Sequence, residues 1–201
     1  MDAASSFASA IVLAGGRSKR MGTDKATMTF CGRRMIDVVV DRLAPLTDRV
    51  IVCARAQAAL DQIAAQIVED EESFAGPLPA LITGLRAAGP GRSVAVACDM
   101  PFLNVPLLAS IAAMIDDDHD AVVPVTEDGP QPLHAAYQDC AIEPLLGALA
   151  AGERSLKGAL DRLRVRWMGE DEWRVLDPSG RSFLNINTPD ELAVASALEA
   201  G

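Results

Sequence analysis

Histidine is nearly absent from this 201-residue chain, which has two, and its four cysteines, Cys31, Cys53, Cys98 and Cys140, form no C-x-x-C pair. That supply argues against a zinc site, which draws its four ligands from such residues at close spacing. Positive charge is short as well. Lys and Arg number 18 against 28 Asp and Glu, for a net charge of -10. The deficit opposes non-specific binding to nucleic acid, which needs a dense set of cations, but leaves room for a small anion held by a local basic site. No apolar run approaches the ~20 residues of a membrane span. The opening M-D-A-A-S-S-F-A-S-A lacks the basic and apolar regions of a signal peptide. Cys53 and Cys98 fall in strand-like runs, where a free thiol packs as a small hydrophobe, so a reducing cytoplasm is the expected location. The chain also lacks G-x-G-x-x-G, and it lacks G-x-S-x-G, which argues against a Ser-His-Asp hydrolase.

What is present alternates between short apolar runs and helical periodicity. Strands are expected at Ala10 to Ala14, Ala26 to Phe30, Arg49 to Ala54, Ile67-Val68, Ser93 to Cys98, Ala121 to Thr126, Val165 to Trp167 and Arg174 to Leu176. An extended segment is expected at Gln131 to Gln138. Helices are expected at Met35 to Leu46, Gln57 to Gln66, Pro77 to Ala88, Asn104 to Ile115, Ile142 to Ala150 and Leu156 to Leu163. Thr188-Pro189-Asp190-Glu191 is a capping box, with Thr188 as N-cap, Pro189 at the first helical position and Glu191 three residues after the cap. The alternation predicts an α/β fold: a three-layer α/β/α, Rossmann-like domain with a mostly parallel central sheet. In such sheets ligands bind at the carboxyl ends of the strands, so the loops after Ala14, Ala54, Glu69 and Cys98 are expected on one edge.

The first of these loops is L-A-G-G-R-S-K-R-M-G-T-D-K, Leu13 to Lys25. A strand ending in Gly15-Gly16 lets the backbone approach a ligand closely, and successive free N–H groups there form a concave anion site. Arg17, Lys19, Arg20 and Lys25 invert the charge of an otherwise acidic chain. Glycines and charges alone serve an ordinary turn with solvated cations as readily as a phosphate cradle. The loop is no Walker A motif, because Gly16 and Gly22 are one residue too far apart and Lys25 follows no glycine.

Leu13 to Lys25 resembles the signature of the MobA-like nucleotidyltransferases. G-P-L-P-A-L-I-T-G-L from Gly76, C-D-M-P-F-L from Cys98, Q-P-L-H-A-A-Y from Gln131 and F-L-N-I-N-T-P-D-E-L from Phe183 agree in order and spacing. The last two strings narrow the resemblance to the molybdenum cofactor guanylyltransferases. It implies one domain over residues 1–201, with a nucleotide-binding half over about 8–103 and an acceptor half over about 104–201. It also implies transfer of GMP from GTP to molybdopterin with Mg²⁺ as cofactor. Apo-molybdoenzymes or their chaperones are then partners, while nucleic acid and membrane are not.

Several side chains acquire roles on this reading. Leu13, Ala14, Gly15 and Gly16 lie against the nucleotide. Asp99, just past a buried strand and facing the phosphate loop, is placed to hold Mg²⁺; a capping role is less needed there because Asn104 already caps the next helix. Lys25 brings a point charge to a moving phosphate oxygen, and Arg20 assists. Asp70 can accept from guanine N1–H and its exocyclic amine, and the resemblance places a GTP contact there; it also belongs to a run of four acids, Glu69 to Glu72. Asn185 and Asn187, alternating with Leu184 and Ile186, would share one face of a strand and bind pterin phosphate, ribose or a metal water. Turn-forming before the helix explains them equally well. Pro77-Leu78 opens a helix whose exposed N–H groups can meet base or phosphate, or simply starts that helix. His134 and Arg154 are candidates near the pterin. Cys53 stands where the family often has Asn, which puts a side-chain contact to the nucleotide in doubt. Three alternatives remain open: a cytidylyltransferase of the same cofactor, a transferase acting on sugar or alditol phosphates, and a non-catalytic nucleotide or pterin carrier.

Overall fold

The structure, a computed structural model, describes residues 9–14, 28–54, 60, 62–69 and 76–200. The first strand, β1 (Ser9–Leu13), is buried along its whole length, as expected of an apolar run covered on both faces. It is flanked in the sheet by β4 (Val50–Ala54) on one side and β6 (Arg92–Ala97) on the other, both parallel to it. Beyond β4 lies β5 (Gln66–Glu69), parallel again. Beyond β6 come β9 (His134–Gln138), β7 (Ala121–Thr126) and β10 (Val165–Met168). Strand β9 runs antiparallel to both β6 and β7, so the start of β9 lies at the same edge as the ends of its neighbours. The hairpin partner β8 (Gly129–Pro130) pairs with the end of β7. A separate two-stranded ribbon, β2 (Thr29–Phe30) with β3 (Arg33–Arg34), precedes the first helix.

Period-two alternation along the strands feeds two cores. Val12, Val52, Val96 and Val122 face α1 (Met35–Leu43) and α3 (Val105–Ala113). Ile11, Ile51, Ala95 and Tyr137 face α2 (Pro77–Ala88), α4 (Ile142–Ala150) and α5 (Leu156–Ala159). This is the three-layer α/β/α arrangement. Helix α2 fits because Gly84 lets it press on β1: a Cβ there would meet Ile11 Cγ2 at 2.5 Å and Cys53 Sγ at 3.0 Å. Pro77 at its first turn and Gly89 after its last residue bound it as the sequence predicts. Asn104 caps α3, its side-chain oxygen accepting from Leu107 N at 2.9 Å. Glu191 and Thr188 form the predicted box at the start of α7 (Pro189–Ala200), with Thr188 N donating to Glu191 Oε2 at 3.0 Å and Glu191 N to Thr188 Oγ1 at 3.2 Å.

Three expectations are corrected. The alanine-rich stretch read as a helix over Gln57 to Gln66 is turn and bend at residues 62–65, with Gln62 at φ +70°, before Gln66 opens β5. Arg174 to Leu176 is no strand. It follows the short α6 (Glu170–Trp173) as a turn, because Leu176 N and Asp177 N both donate back to Trp173 O. Leu184 to Asn187 is no strand either and has no regular secondary structure.

Candidate active site

The carboxyl ends of β1, β4 and β6 meet at one point of the sheet edge. Leu13 is in register with Cys53 on one side and Ala97 on the other. The ladder continues past the strand ends, with Ala14 N donating to Cys53 O at 2.9 Å and Cys98 N to Leu13 O at 3.1 Å. The root of the glycine loop is therefore laced directly to the residue before Asp99. Leu13 and Ala14 are 5% and 4% exposed, so contacts from them to a ligand are main-chain contacts. Gly15, Gly16, Arg20, Lys25 and Asp70, with Arg17, Lys19 and Gly22, lie outside the described residues. Glu69, which precedes Asp70, pairs with Ala54 at the same end of the sheet.

Asp99 is buried, at 7% exposure. Its carbonyl accepts from Ile186 N at 2.9 Å, which brings the end of the sequence onto this edge. Ile186 is 1% exposed and packs in a third core with Met28, Phe30, Met35 and Phe102. Asn185 and Asn187 thus bracket the residue that is tied to Asp99. A buried isoleucine anchor, and not a strand pleat, sets their place.

Two adjoining cavities open beside this edge. The smaller, about 350 Å³, is lined by Pro77, Ala97, Met100, Leu133 and Leu156 among others. The larger, about 560 Å³, is lined by Trp173, Phe183, the acids Glu127, Asp128 and Glu170, and Arg174, which pairs with Glu170. Gln131, Lys157 and Asn185 line both. These volumes are in the usual range for small-molecule sites. Buried struts hold the walls. Tyr137 Oη donates to Pro132 O at 2.8 Å, and Trp173 Nε1 donates to Val125 O at 3.0 Å. Phe183 packs edge-on against both Trp173 (5.0 Å between ring centres) and His134 (4.7 Å).

His134, a candidate for a place near the pterin, is fully buried. It pairs across the sheet with Val96, and its Nε2 lies 3.0 Å from Ser182 Oγ. Ser182 Oγ also accepts from Asn104 N at 2.9 Å, while Ser182 N donates to Asp177 Oδ2 at 2.9 Å. Burial drives the imidazole pKa down to about 3 against the opposing pull of the Asp177 carboxylate, so His134 is neutral. This polar knot fixes the 177–183 segment against α3 and β9, and Asn185 follows directly from it. Arg154 is exposed and spends its Nη1 on the carbonyls of Leu149 and Glu153 at 2.9 and 2.8 Å. Cys53 is 1% exposed and faces α2. Lys157 was not singled out by the sequence. It stands in G-E-R-S-L-K with no partner in sequence to mark it, and only the fold brings it to the β7–β8 turn.

A divalent ion can be tested against these residues. Among the described residues no group of three or more His, Cys, Asp and Glu is placed to hold a metal. A single buried carboxylate at a strand end is instead the donor that suits Mg²⁺, which takes one or two carboxylates and completes its shell with phosphate and water. Among the described residues no helix is long and apolar enough to cross a membrane.

Residues 10–167 match the family model for the MobA-like NTP transferase domain. A probable molybdenum cofactor guanylyltransferase of Chloroflexus aggregans is 37% identical over 195 residues, covering 94% of this chain and 93% of that protein. A molybdenum cofactor guanylyltransferase of Desulfosudis oleivorans is also 37% identical, covering 95% and 96%. Among solved structures, the molybdopterin-guanine dinucleotide biosynthesis protein A of Archaeoglobus fulgidus superposes with a TM-score of 0.79 at 27% identity, over 96% of this chain and 98% of that one.

Proposed function

The chain belongs to the MobA-like NTP transferase family, and on that footing we propose that it transfers GMP from GTP to the terminal phosphate of molybdopterin, giving the guanine dinucleotide cofactor and pyrophosphate. Relatives named as molybdenum cofactor guanylyltransferases, matching over nearly the full length, support the choice of base and acceptor. The observation that carries the reading is the hydrogen bond between Cys98 N and Leu13 O, which joins the step before Asp99 to the root of the glycine loop.

An oxygen of the acceptor phosphate attacks the α-phosphorus of GTP in line. A new P–O–P bond forms as the bond to the β-phosphate oxygen breaks, and pyrophosphate leaves with the electron pair. No covalent enzyme intermediate is needed, so positioning and charge neutralisation do the work. Amides of Gly15 and Gly16 cradle the phosphates, and Lys25 and Arg20 offset the charge on their oxygens. Asp70 accepts from guanine N1–H and its amine. Asp99 holds Mg²⁺, which when bound neutralises charge on the α-phosphate and the leaving pyrophosphate. Asn185 and Asn187 orient the acceptor. The product passes to apo-molybdoenzymes or their chaperones, and cysteines kept as thiols at Cys31, Cys53, Cys98 and Cys140 fit a cytoplasmic setting.

Calorimetric titration of GTP, CTP, ATP and UTP with magnesium, followed by mass spectrometry of the reaction with molybdopterin, tests the proposal. Preferential GTP binding and a guanine dinucleotide product are expected. Preferential CTP binding with a cytosine dinucleotide would replace the base assignment.

A further inference from the structure

Among the described residues, the wall shared by the two cavities holds one cation, Lys157. Lys157 is exposed on α5, and among the described residues the partner of its Nζ is a neutral carbonyl, Asp128 O at 3.2 Å. In a chain of net charge -10, an ammonium set against a carbonyl in a concave wall has most of its charge to spare. It is also the one charged residue among the described residues lining the smaller cavity. Its carbonyl partner is itself braced. Gln131 Nε2 donates to Thr126 Oγ1 at 2.9 Å and to Gly129 O at 3.2 Å, closing the turn that carries Asp128. The ammonium is therefore aimed before any ligand arrives, which lowers the ordering cost of binding.

The surroundings select the ligand. Lys157 and Asn185 come from the chain after Asp99, in the half that the sequence assigns to the acceptor. The larger cavity behind them combines two aromatic rings with the carboxylates of Glu127 and Asp128, and with Glu170, whose carboxylate is paired with Arg174. Glu127 and Asp128 oppose a second polyphosphate and can accept from the amino and amide N–H groups of a flat heterocycle. We propose that Lys157, with Asn185, binds the phosphate of the acceptor at the junction of the two cavities, while the pterin lies in the larger one beside Trp173 and Phe183. The inference rests on the transfer reaction proposed above and adds the residue that fixes the attacking group.

The test is an equilibrium titration read by Trp173 fluorescence, in a Trp167→Phe background because Trp167 is the other, exposed indole. The probes are metal-free molybdopterin and its dephosphorylated form. Lys157→Met is expected to weaken the phosphorylated probe by about 10-fold or more, as loss of a charge-assisted contact does, and the dephosphorylated one by less than about 2-fold. Lys157→Arg is expected to retain binding within about 3-fold, and GTP affinity should be the same in all variants. Equal weakening of both probes, or loss of GTP binding, overturns the assignment of Lys157. Failure of the unsubstituted Lys157 protein to bind either probe overturns the acceptor reading itself, and the inference with it.

Discussion

The main-chain amide of Ile186 donates to the carbonyl of Asp99 at 2.9 Å. Through this bond the end of the chain reports to the strand edge where the nucleotide loop begins, and the Ile186 side chain, 1% exposed, keeps the bond in place. Ile186→Ala is expected to cost roughly 2–5 kcal/mol of stability by emptying a packed site. It should also lower turnover further than the stability loss explains, because Asn185 and Asn187 lose their anchor. Chemical denaturation alongside steady-state rates at a temperature where the variant is folded checks both.

Asn185 is exposed and makes little of its own structure, with one long contact of 3.4 Å from Nδ2 to Phe183 O. Asn185→Ala is therefore expected to leave the melting temperature unchanged and to raise the KM for the acceptor by about 10-fold or more, with GTP affinity intact. A fall in GTP affinity would place the side chain on the nucleotide instead.

The buried imidazole sets a pH window. Folded protein keeps His134 neutral down to about pH 3, from an ordinary value of 6.5, whereas the unfolded chain takes up the proton below that ordinary value. The unfolded state then binds more protons, so this contribution is complete above pH 6.5 and is lost as pH falls toward about 3. A slope approaching ~1.4 kcal/mol per pH unit is expected. Urea unfolding between pH 6.5 and 5, above most carboxylate titration, should show it, and His134→Gln should flatten it.

Gly84 marks the closest approach of helix to sheet. Gly84→Ala is expected to destabilise by about 1–3 kcal/mol, since Ile11 Cγ2 stands 2.5 Å from the added methyl carbon and belongs to the central strand. The thermal midpoint measures it.

Local chemistry made much of this legible in the sequence. Pro77 and Gly89 bound α2 as read, Asn104 caps α3, and Thr188 with Glu191 closes the box of α7, because each signal acts within a few residues of itself. Asp99 lies buried just past β6, as its position after an apolar run implies. The direction of β9 was not legible, because period-two alternation is the same for parallel and antiparallel strands. Alanine at Ala64 and Ala65 favoured a helix that the turn at Gln62 overrides. The contact of His134 with Ser182, and the reach of Lys157 to Asp128 O, join residues far apart in sequence, and no spacing rule announces such pairs.

The most direct test of the account is pyrophosphate release, measured for the unsubstituted protein and for Asp99→Asn under the same conditions. Release is expected only when GTP, magnesium and molybdopterin are all present, and the substitution should reduce it by about 1,000-fold while leaving the melting temperature close to its starting value. Release from Asp99→Asn at the unsubstituted rate would contradict the account.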